Sequence, residues 1–151
     1  MKTMIRNFRL TVTAFSLALT TVTAVAMGYD TPVTYAQLPQ TAQEFIKTHF
    51  SDVKMLYALK DRDFLSSSYE VRFDNGTKVE FTGKGQWKEV DTKFGVPEAI
   101  IPSAIKNYIG EHYPEAHVMD IDRDRTGYEV KLSIGIEIKF DNKFRVRGYD
   151  D

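Results

Sequence analysis

The sequence of 151 residues contains no cysteine. Disulfide bonds, thiolate-ligated metal sites, a cysteine nucleophile and a lipid-anchored N-terminal cysteine are therefore excluded. The length allows one domain with a substantial core but is too short for two ordinary domains. The charged fraction of 27% and the aromatic fraction of 13% are typical of a globular chain rather than a disordered one.

Signatures of catalysis are also missing. The chain has no G-x-S-x-G segment, so the strand-to-helix elbow that presents a serine nucleophile is not predicted. Only three histidines are present, and His112 and His117 lack the spacing of zinc ligands. We therefore expect no catalytic residue and no cofactor, and we expect that the protein is not an enzyme.

One acidic motif resembles the start of a calcium-binding loop. Asp120, Asp122 and Asp124 alternate as in an EF-hand, but the glycine position holds Arg125 and the glutamate position holds Lys131. The motif is interpreted instead as a charged strand end followed by a turn. The sequence therefore predicts no metal site.

An excess of basic residues is absent as well. The chain has 20 Lys and Arg against 21 Asp and Glu, and three of the basic residues lie in the first ten positions. Without those three the balance is 17 − 21 = −4. A mildly acidic chain without a basic stripe is a poor candidate for binding nucleic acid or anionic membranes.

The N-terminal segment predicts export. Lys2, Arg6 and Arg9 precede an uncharged, mostly apolar run from Leu10 to Val25, and Ala24-Val25-Ala26 has the A-x-A form of a cleavage site. We expect residues 1–26 to be a signal peptide, with no membrane span after its removal. Export without cysteine favours a bacterial envelope, so the protein is expected to be periplasmic or secreted.

The domain itself is expected to begin with a helix. Residues 27–37 lack periodicity and are interpreted as a flexible leader. Leu38-Pro39 then precedes apolar residues at helical spacing, which predicts a helix from about Pro39 to Phe50. Val53–Leu59 alternates and predicts a strand with Met55, Tyr57 and Leu59 on one face.

The clearest local signal is the stretch Tyr69–Trp87. Its apolar residues alternate with charged ones on both sides of Asp74-Asn75-Gly76-Thr77. Asn-Gly between alternating runs predicts a β-hairpin with a type I′ turn. A further strand is predicted at Gln86–Asp91.

This pattern occurs a second time. Ile101-Pro102 matches Leu38-Pro39 at an offset of 63 residues, and Tyr128-Glu129-Val130 matches Tyr69-Glu70-Val71 at an offset of 59. The matches predict an internal duplication. Within a domain at 38–151, repeat 1 is assigned to 38–92, a connector to 93–100 and repeat 2 to 101–151.

Each repeat is a helix followed by four strands, and one such unit alone has a small core. We therefore expect an α+β fold with one antiparallel sheet of about eight strands and both helices on one face. The other face is predicted to carry charged residues of mixed sign, either as a solvated surface or as a concave surface for another protein.

The Leu/Ile-Pro helix start, the Tyr-Glu-Val strand, the Asn-Gly hairpin and the duplication resemble the putative beta-lactamase-inhibitor-like, PepSY-like domain family of secreted bacterial proteins. The resemblance covers about Leu38–Asp151. It implies a periplasmic or exported protein of two helix-plus-sheet units, with inhibitory or binding roles toward peptidases or other envelope proteins. It implies no catalytic residue, because the shared motifs are structural.

The leading hypothesis is a non-enzymatic binding module that docks through the open sheet face and its hairpin loops onto an envelope or extracellular protein, with inhibition or modulation of an envelope enzyme as one role. The candidate contacts are Trp87, Tyr149, Tyr57, Arg72, Glu80, Lys131 and Lys139. Trp87 is expected on the open face if it alternates with Glu89 and Asp91, or else beneath the first helix. The alternative is a periplasmic small-ligand carrier with a pocket between helices and sheet, lined by Phe45, Tyr108 and Phe73.

Overall fold

A computed structural model describes residues 30–62 and 66–150, and its centre is one antiparallel sheet. The sheet has nine strands in the sequential order β1 to β9. The helices and strands have these bounds: β1 Thr31–Val33, α1 Gln40–His49, β2 Met55–Arg62, β3 Ser67–Phe73, β4 Lys78–Thr82, β5 Trp87–Asp91, α2 Ser103–His112, β6 Val118–Arg123, β7 Gly127–Leu132, β8 Glu137–Asp141 and β9 Val146–Asp150. A 3₁₀ turn at Tyr35–Gln37 lies between β1 and α1.

A row of aliphatic side chains runs across the sheet from β3 to β8. Successive strands pair so that these residues lie directly opposite one another, and side chains opposite each other share a face. All six are fully buried, and burial of each stabilises the fold by about 1.5–3 kcal/mol. The row consists of Val71, Val79, Val90, Ile121, Val130 and Ile138.

Both α-helices pack on the face that carries this row. The ring of Phe45 in α1 meets Phe81 edge-on at 5.6 Å between centroids, and Tyr108 in α2 meets Phe140 in the same way at 5.5 Å. Phe81 and Phe140 lie two residues beyond row members on their own strands, so they point to the same side. The expected α+β class, with a single sheet and the helices on one face, is therefore confirmed.

The helices form where the apolar spacing predicts them. Ala42 and Ile46 are the buried residues of α1, and Ile105 and Ile109 are those of α2. A proline precedes the first helical residue in each case, where its missing N–H leaves no helical hydrogen bond unmade.

The sheet has one strand more than the sequence predicts. Residues 27–37 were expected to be a flexible leader, yet Thr31–Val33 pairs with β2 as an edge strand. Pro32 is compatible with this position because an edge strand leaves some backbone N–H groups unpaired. The segment after the strand is anchored to α1, since the Tyr35 hydroxyl donates to the Gln43 carbonyl at 2.8 Å.

The predicted alternation in β2 is wrong in register. The pairing with β3 shifts between Met55 and Tyr57, which marks a β-bulge. The extra residue moves Ala58 into the core, where it is 1% exposed, and turns Tyr57 to the opposite face. Periodicity alone does not reveal such an insertion.

The hairpin at Asn75-Gly76 is confirmed, but its turn type is not. A type I′ turn needs positive φ at both central residues, and of these two only Gly76 has one, at +86°. The Asn75 side chain instead accepts a hydrogen bond from the Thr77 backbone N–H at 3.0 Å.

The order of one α-helix and four strands occurs twice along the described chain. The bulge at Met55/Tyr57 in β2 has a counterpart at Val118/Asp120 in β6, and the bulge at Glu80/Phe81 has one at Lys139/Phe140. These recurrences agree with an internal duplication, which itself stays a prediction.

Candidate functional site: the open face of the sheet

The face of the sheet opposite the helices carries most of the charged strand residues. On this face five carboxylates from five neighbouring strands lie directly opposite one another. Like charges in this arrangement repel, so they require compensation. We call this set the acidic row; it consists of Glu70, Glu80, Glu89, Asp122 and Glu129.

Basic side chains at the margins of the acidic row provide part of that compensation. Arg72 donates to Glu70 at 2.8 Å, and the Lys139 ammonium lies 3.8 Å from Glu129. Lys78 contacts Glu89 at 2.5 Å and Glu80 at 3.3 Å. Only the Lys78–Glu89 pair is well shielded from water, with side chains 15% and 16% exposed, so the more exposed pairs contribute little stability.

The centre of the open face holds a tight group of three carboxylates, Glu89, Asp91 and Asp120, which we call the carboxylate cluster. One oxygen from each lies within 4.8 Å of the others. The backbone pairing of β5 with β6 produces the cluster, because it places Asp91 directly opposite Asp120. Glu89 lies two residues before Asp91 and therefore projects on the same side.

Asp120 is the least compensated member of the cluster. Its Oδ1 atom is buried and has no hydrogen-bond partner, the only such side-chain atom in the part of the chain that the structure describes. An unpaired buried carboxylate oxygen is unfavourable unless a proton or a cation satisfies it.

The pKa values in the cluster reflect the incomplete compensation of its negative charges. Burial, followed by the negative charges of Glu89 and Asp91, raises the pKa of Asp120 to about 7. Burial also raises the pKa of Glu89, and there it outweighs the opposing effect of the Lys78 ammonium. For Lys78, burial lowers the pKa, but the hydrogen bond to Glu89 and the nearby carboxylates outweigh it and raise the pKa overall.

Five of the seven residues predicted to contact a partner lie on the open face. Tyr57 is directly opposite Arg72, and its side chain is 47% exposed. Glu80 belongs to the acidic row, Lys131 is opposite Asp120, and Lys139 is opposite Glu129. Their part in binding stays a prediction.

Trp87 is not on the open face. The strand pairing shifts between Glu80 and Phe81, so that Trp87 lies opposite Phe81 on the helix-bearing side. Its ring stacks on Phe45 of α1 at 6.3 Å, and the Arg123 guanidinium lies 4.1 Å above it. The placement beside Glu89 and Asp91 is therefore wrong, because a bulge inserts one residue between them and Trp87.

Tyr149 also lies on the helix-bearing side, at the edge of the sheet. It is directly opposite the core residue Ile138, and its hydroxyl is 2.5 Å from that of Tyr108 in α2. This bond fastens the edge strand β9 to the helix. Hydrogen bonding to Tyr149 raises the pKa of Tyr108 to about 12.

The Asp-x-Asp-x-Asp motif does not act as one unit. Asp124 lies in the turn after β6, where its Oδ1 accepts the backbone N–H of Thr126 at 2.6 Å and that of Gly127 at 3.1 Å. Asp120 and Asp122 instead point to the open face. The interpretation of the motif as a strand end and turn is confirmed, whereas the cross-strand role of Asp120 was missed.

The signal that could have revealed the cluster is the alternation of carboxylates in two strands. Glu89 and Asp91 flank the buried Val90, and Asp120 and Asp122 flank the buried Ile121. Pairing Val90 with Ile121 forces the flanking acids together. Alternation within each strand does not indicate that these two strands pair, so the cluster was not predicted.

The expected small-ligand pocket between helices and sheet is filled by side chains. Phe45 packs against Phe81 and Phe50, and Phe50 stacks on Phe73 at 5.1 Å. Phe73 itself is 1% exposed. Of the residues proposed to line a cavity, Phe73 therefore belongs to the core, and Phe45 and Tyr108 pack against the core as partly buried side chains.

Comparison with known proteins agrees with this architecture. The profile of the family described as "putative beta-lactamase-inhibitor-like, PepSY-like" matches residues 67–147, which is more than half of the chain. The chain therefore belongs to this family. Among curated proteins, none matches it.

Three crystal structures of Bacteroides proteins are similar. One, a putative periplasmic protein of the DUF2874 family from Bacteroides vulgatus, is 51% identical with a TM-score of 0.79, and the match covers 81% of this chain and 97% of that one. A putative calcium-regulated periplasmic protein from Bacteroides thetaiotaomicron is 54% identical with a TM-score of 0.79 and the same coverage. A putative periplasmic protein of unknown function from Bacteroides vulgatus is 34% identical with a TM-score of 0.78, and the match covers 82% of this chain and 100% of that one.

The family and these neighbours indicate a periplasmic module, and they indicate no catalytic family. Within the described residues, no helix is long and apolar enough to span a membrane. The predicted signal peptide lies outside the described residues.

The raised pKa of Asp120 predicts how stability depends on pH. In the absence of divalent cations, the folded protein holds a proton on Asp120 between pH about 4 and 7 that the unfolded chain has released, so stability falls as pH rises through this window. The side chain introduced by Asp120→Asn does not titrate, so the variant lacks this fall in stability with rising pH. We expect its stability advantage over the wild type to grow by about 1–3 kcal/mol between pH 5 and pH 8, as measured by urea unfolding.

Asp124→Asn is the matched control. Hydrogen bonds from Thr126 lower the pKa of Asp124, so this carboxylate is ionised at both pH values in both states. Its effect on stability should therefore be the same at pH 5 and pH 8. An Asp120→Asn advantage that does not grow with pH would contradict the proposed environment of Asp120.

Proposed function

We propose that this chain is a non-enzymatic periplasmic binding module that takes up a calcium-type divalent cation in the carboxylate cluster and presents its open face to a partner protein. The observation that carries the proposal is the convergence of Glu89, Asp91 and Asp120 around an Asp120 oxygen that is buried and unpaired. A hard dication satisfies this oxygen and neutralises the surplus negative charge at the same time.

The chemistry of the cluster favours calcium. Its ligands are all carboxylate oxygens, which suit hard cations rather than zinc or copper. Calcium–oxygen distances of about 2.3–2.6 Å place ligands on opposite sides of the ion at about 4.6–5.2 Å, in line with the spread of the cluster. The similar Bacteroides thetaiotaomicron protein described as calcium-regulated supports the assignment.

Three carboxylates leave the coordination shell incomplete. Calcium takes about six to eight oxygen ligands, so water or the oxygen atoms of a partner must supply the rest. Since the cluster lies on the face that neither described α-helix covers, a docked partner has direct access to the ion. Cation uptake and partner binding are thereby linked at one surface.

The proposed partner is an envelope protein, docked through Tyr57, Arg72, Glu80, Lys131 and Lys139. These side chains lie on the open face, on strands to either side of the cluster, and supply charges of both signs together with one exposed ring. The inhibitor-like description of the family supports a role in restraining an envelope enzyme. Side chains fill the space between helices and sheet, so the structure gives no support to the small-ligand alternative.

Isothermal titration with calcium tests the cation site. The purified protein at pH 7.5 should bind one calcium ion, and Asp120→Asn should weaken binding at least about tenfold because affinity depends on the charge of the ligands. Asp124→Asn removes a carboxylate four residues away, outside the cluster, and should bind calcium as the wild type does. Absence of calcium binding, or equal losses in both variants, would refute the site.

A pulldown from periplasmic extract, with calcium and with EGTA, tests the docking face. Reversal of charge by Arg72→Glu or Lys139→Glu should abolish recovery of the partner that the wild type retains, because both side chains lie on the open face at the margins of the acidic row. Lys47→Glu changes an exposed lysine in α1 and should leave recovery intact. Loss of the partner with Lys47→Glu alone, or unchanged recovery with Arg72→Glu and Lys139→Glu, would place the contact outside the open face.

A further inference from the structure

Lys78 occupies a special position beside the carboxylate cluster. Its ammonium contacts Glu89 Oε1 at 2.5 Å and Glu80 Oε1 at 3.3 Å, and its side chain is only 15% exposed. The pairing of β4 with β5 places Lys78 directly opposite Asp91. The lysine therefore borders two of the three cluster residues.

We propose that Lys78 is a built-in competitor for the cation site, which holds Glu89 when no divalent cation is bound and must release it for the cation to enter. This inference rests on the proposed function, since it takes the carboxylate cluster to be the cation site. It assigns the affinity of the site to a residue that is not itself a ligand.

The competition follows from the geometry of Glu89. Its Oε1 is engaged by the Lys78 ammonium at hydrogen-bond distance, and a charge-assisted bond of this kind is strong when shielded from water. A dication bound to Glu89 would lie close to that ammonium, and two positive charges at short range repel. Binding therefore requires that the ammonium withdraw.

A second carboxylate makes the withdrawal possible. Glu80 lies on the same strand as Lys78, two residues further on, and already contacts the ammonium. When Glu89 turns to the cation, Lys78 keeps Glu80 as its counter-ion and is not left buried without a partner. The lysine thus has two positions, one shared between Glu89 and Glu80 and one on Glu80 alone.

As a consequence, competition from Lys78 lowers the affinity of the site for calcium. An internal cation that must be displaced shifts half-saturation to a higher calcium concentration, in the same way as any competing ligand. Such a threshold suits a compartment that is open to external calcium. The site then responds to a rise in calcium instead of being permanently filled.

Calcium titrations of Lys78 variants test the inference. Lys78→Met keeps the length of the side chain and removes its charge, and we expect calcium to bind at least about tenfold more tightly than in the wild type. Lys78→Gln should show the same increase and serves as the second variant if Lys78→Met folds poorly. Lys78→Arg retains the charge and should bind as weakly as the wild type or more weakly.

Lys88→Met is the matched control. Lys88 is also on the open face, but it contacts Glu80 at 3.7 Å and has no ion pair with Glu89 among the described contacts. Its effect on calcium affinity should be less than about threefold, since it does not engage a cluster residue. Circular dichroism of each variant establishes that the fold is retained.

The outcomes separate this inference from the function on which it rests. Tighter binding by Lys78→Met and Lys78→Gln, with little change in Lys88→Met, supports it. Unchanged or weaker binding by both Lys78 variants, while the wild type binds calcium, overturns the competitor role and leaves the cation site standing. No calcium binding by the wild type or by any variant overturns both.

Discussion

The pairing of β5 with β6 is the contact on which the fold and the candidate site both depend. It joins the two helix-plus-four-strand halves into one sheet, and it continues the aliphatic row from Val90 to Ile121. The same register sets Asp91 opposite Asp120 on the other face and Glu89 opposite Asp122. Because side chains alternate along a strand, the packing that buries the aliphatic pair forces the four carboxylates together.

This arrangement concentrates an electrostatic cost on the open face of the sheet. Burial of one face stabilises the sheet, and the accumulation of carboxylates on the other opposes it, most strongly at Asp120. Lys78 relieves part of the repulsion through Glu89, but it leaves the Asp120 oxygen without a partner. Unfavourable electrostatics retained at one place in an otherwise well-packed sheet are typical of functional sites.

The features that depend on local patterning were predictable from the sequence. Alternation predicted the hairpin around Asn75-Gly76, and helical spacing predicted both helices. Strand alternation also placed Arg72, Glu80, Lys131 and Lys139 on the sheet face away from the helices. Each of these predictions needs only the period of a single element, which the order of apolar residues defines.

The features that depend on one inserted residue or on distant pairing were not predictable in this way. A bulge reverses the faces on either side of it, and three such shifts decide the positions of Tyr57, Trp87 and Asp120. The carboxylate cluster joins strands separated in sequence by the connector and α2, so its members reveal no local motif.

The location of calcium in a crystal grown at saturating calcium concentration, read from the anomalous signal of the ion, tests the proposed cation site most directly. We expect one strong peak on the open face, within about 2.3–2.6 Å of oxygen atoms of Glu89, Asp91 and Asp120. A peak confined to the turn at Asp124, or no peak on the open face, would refute calcium binding by the carboxylate cluster.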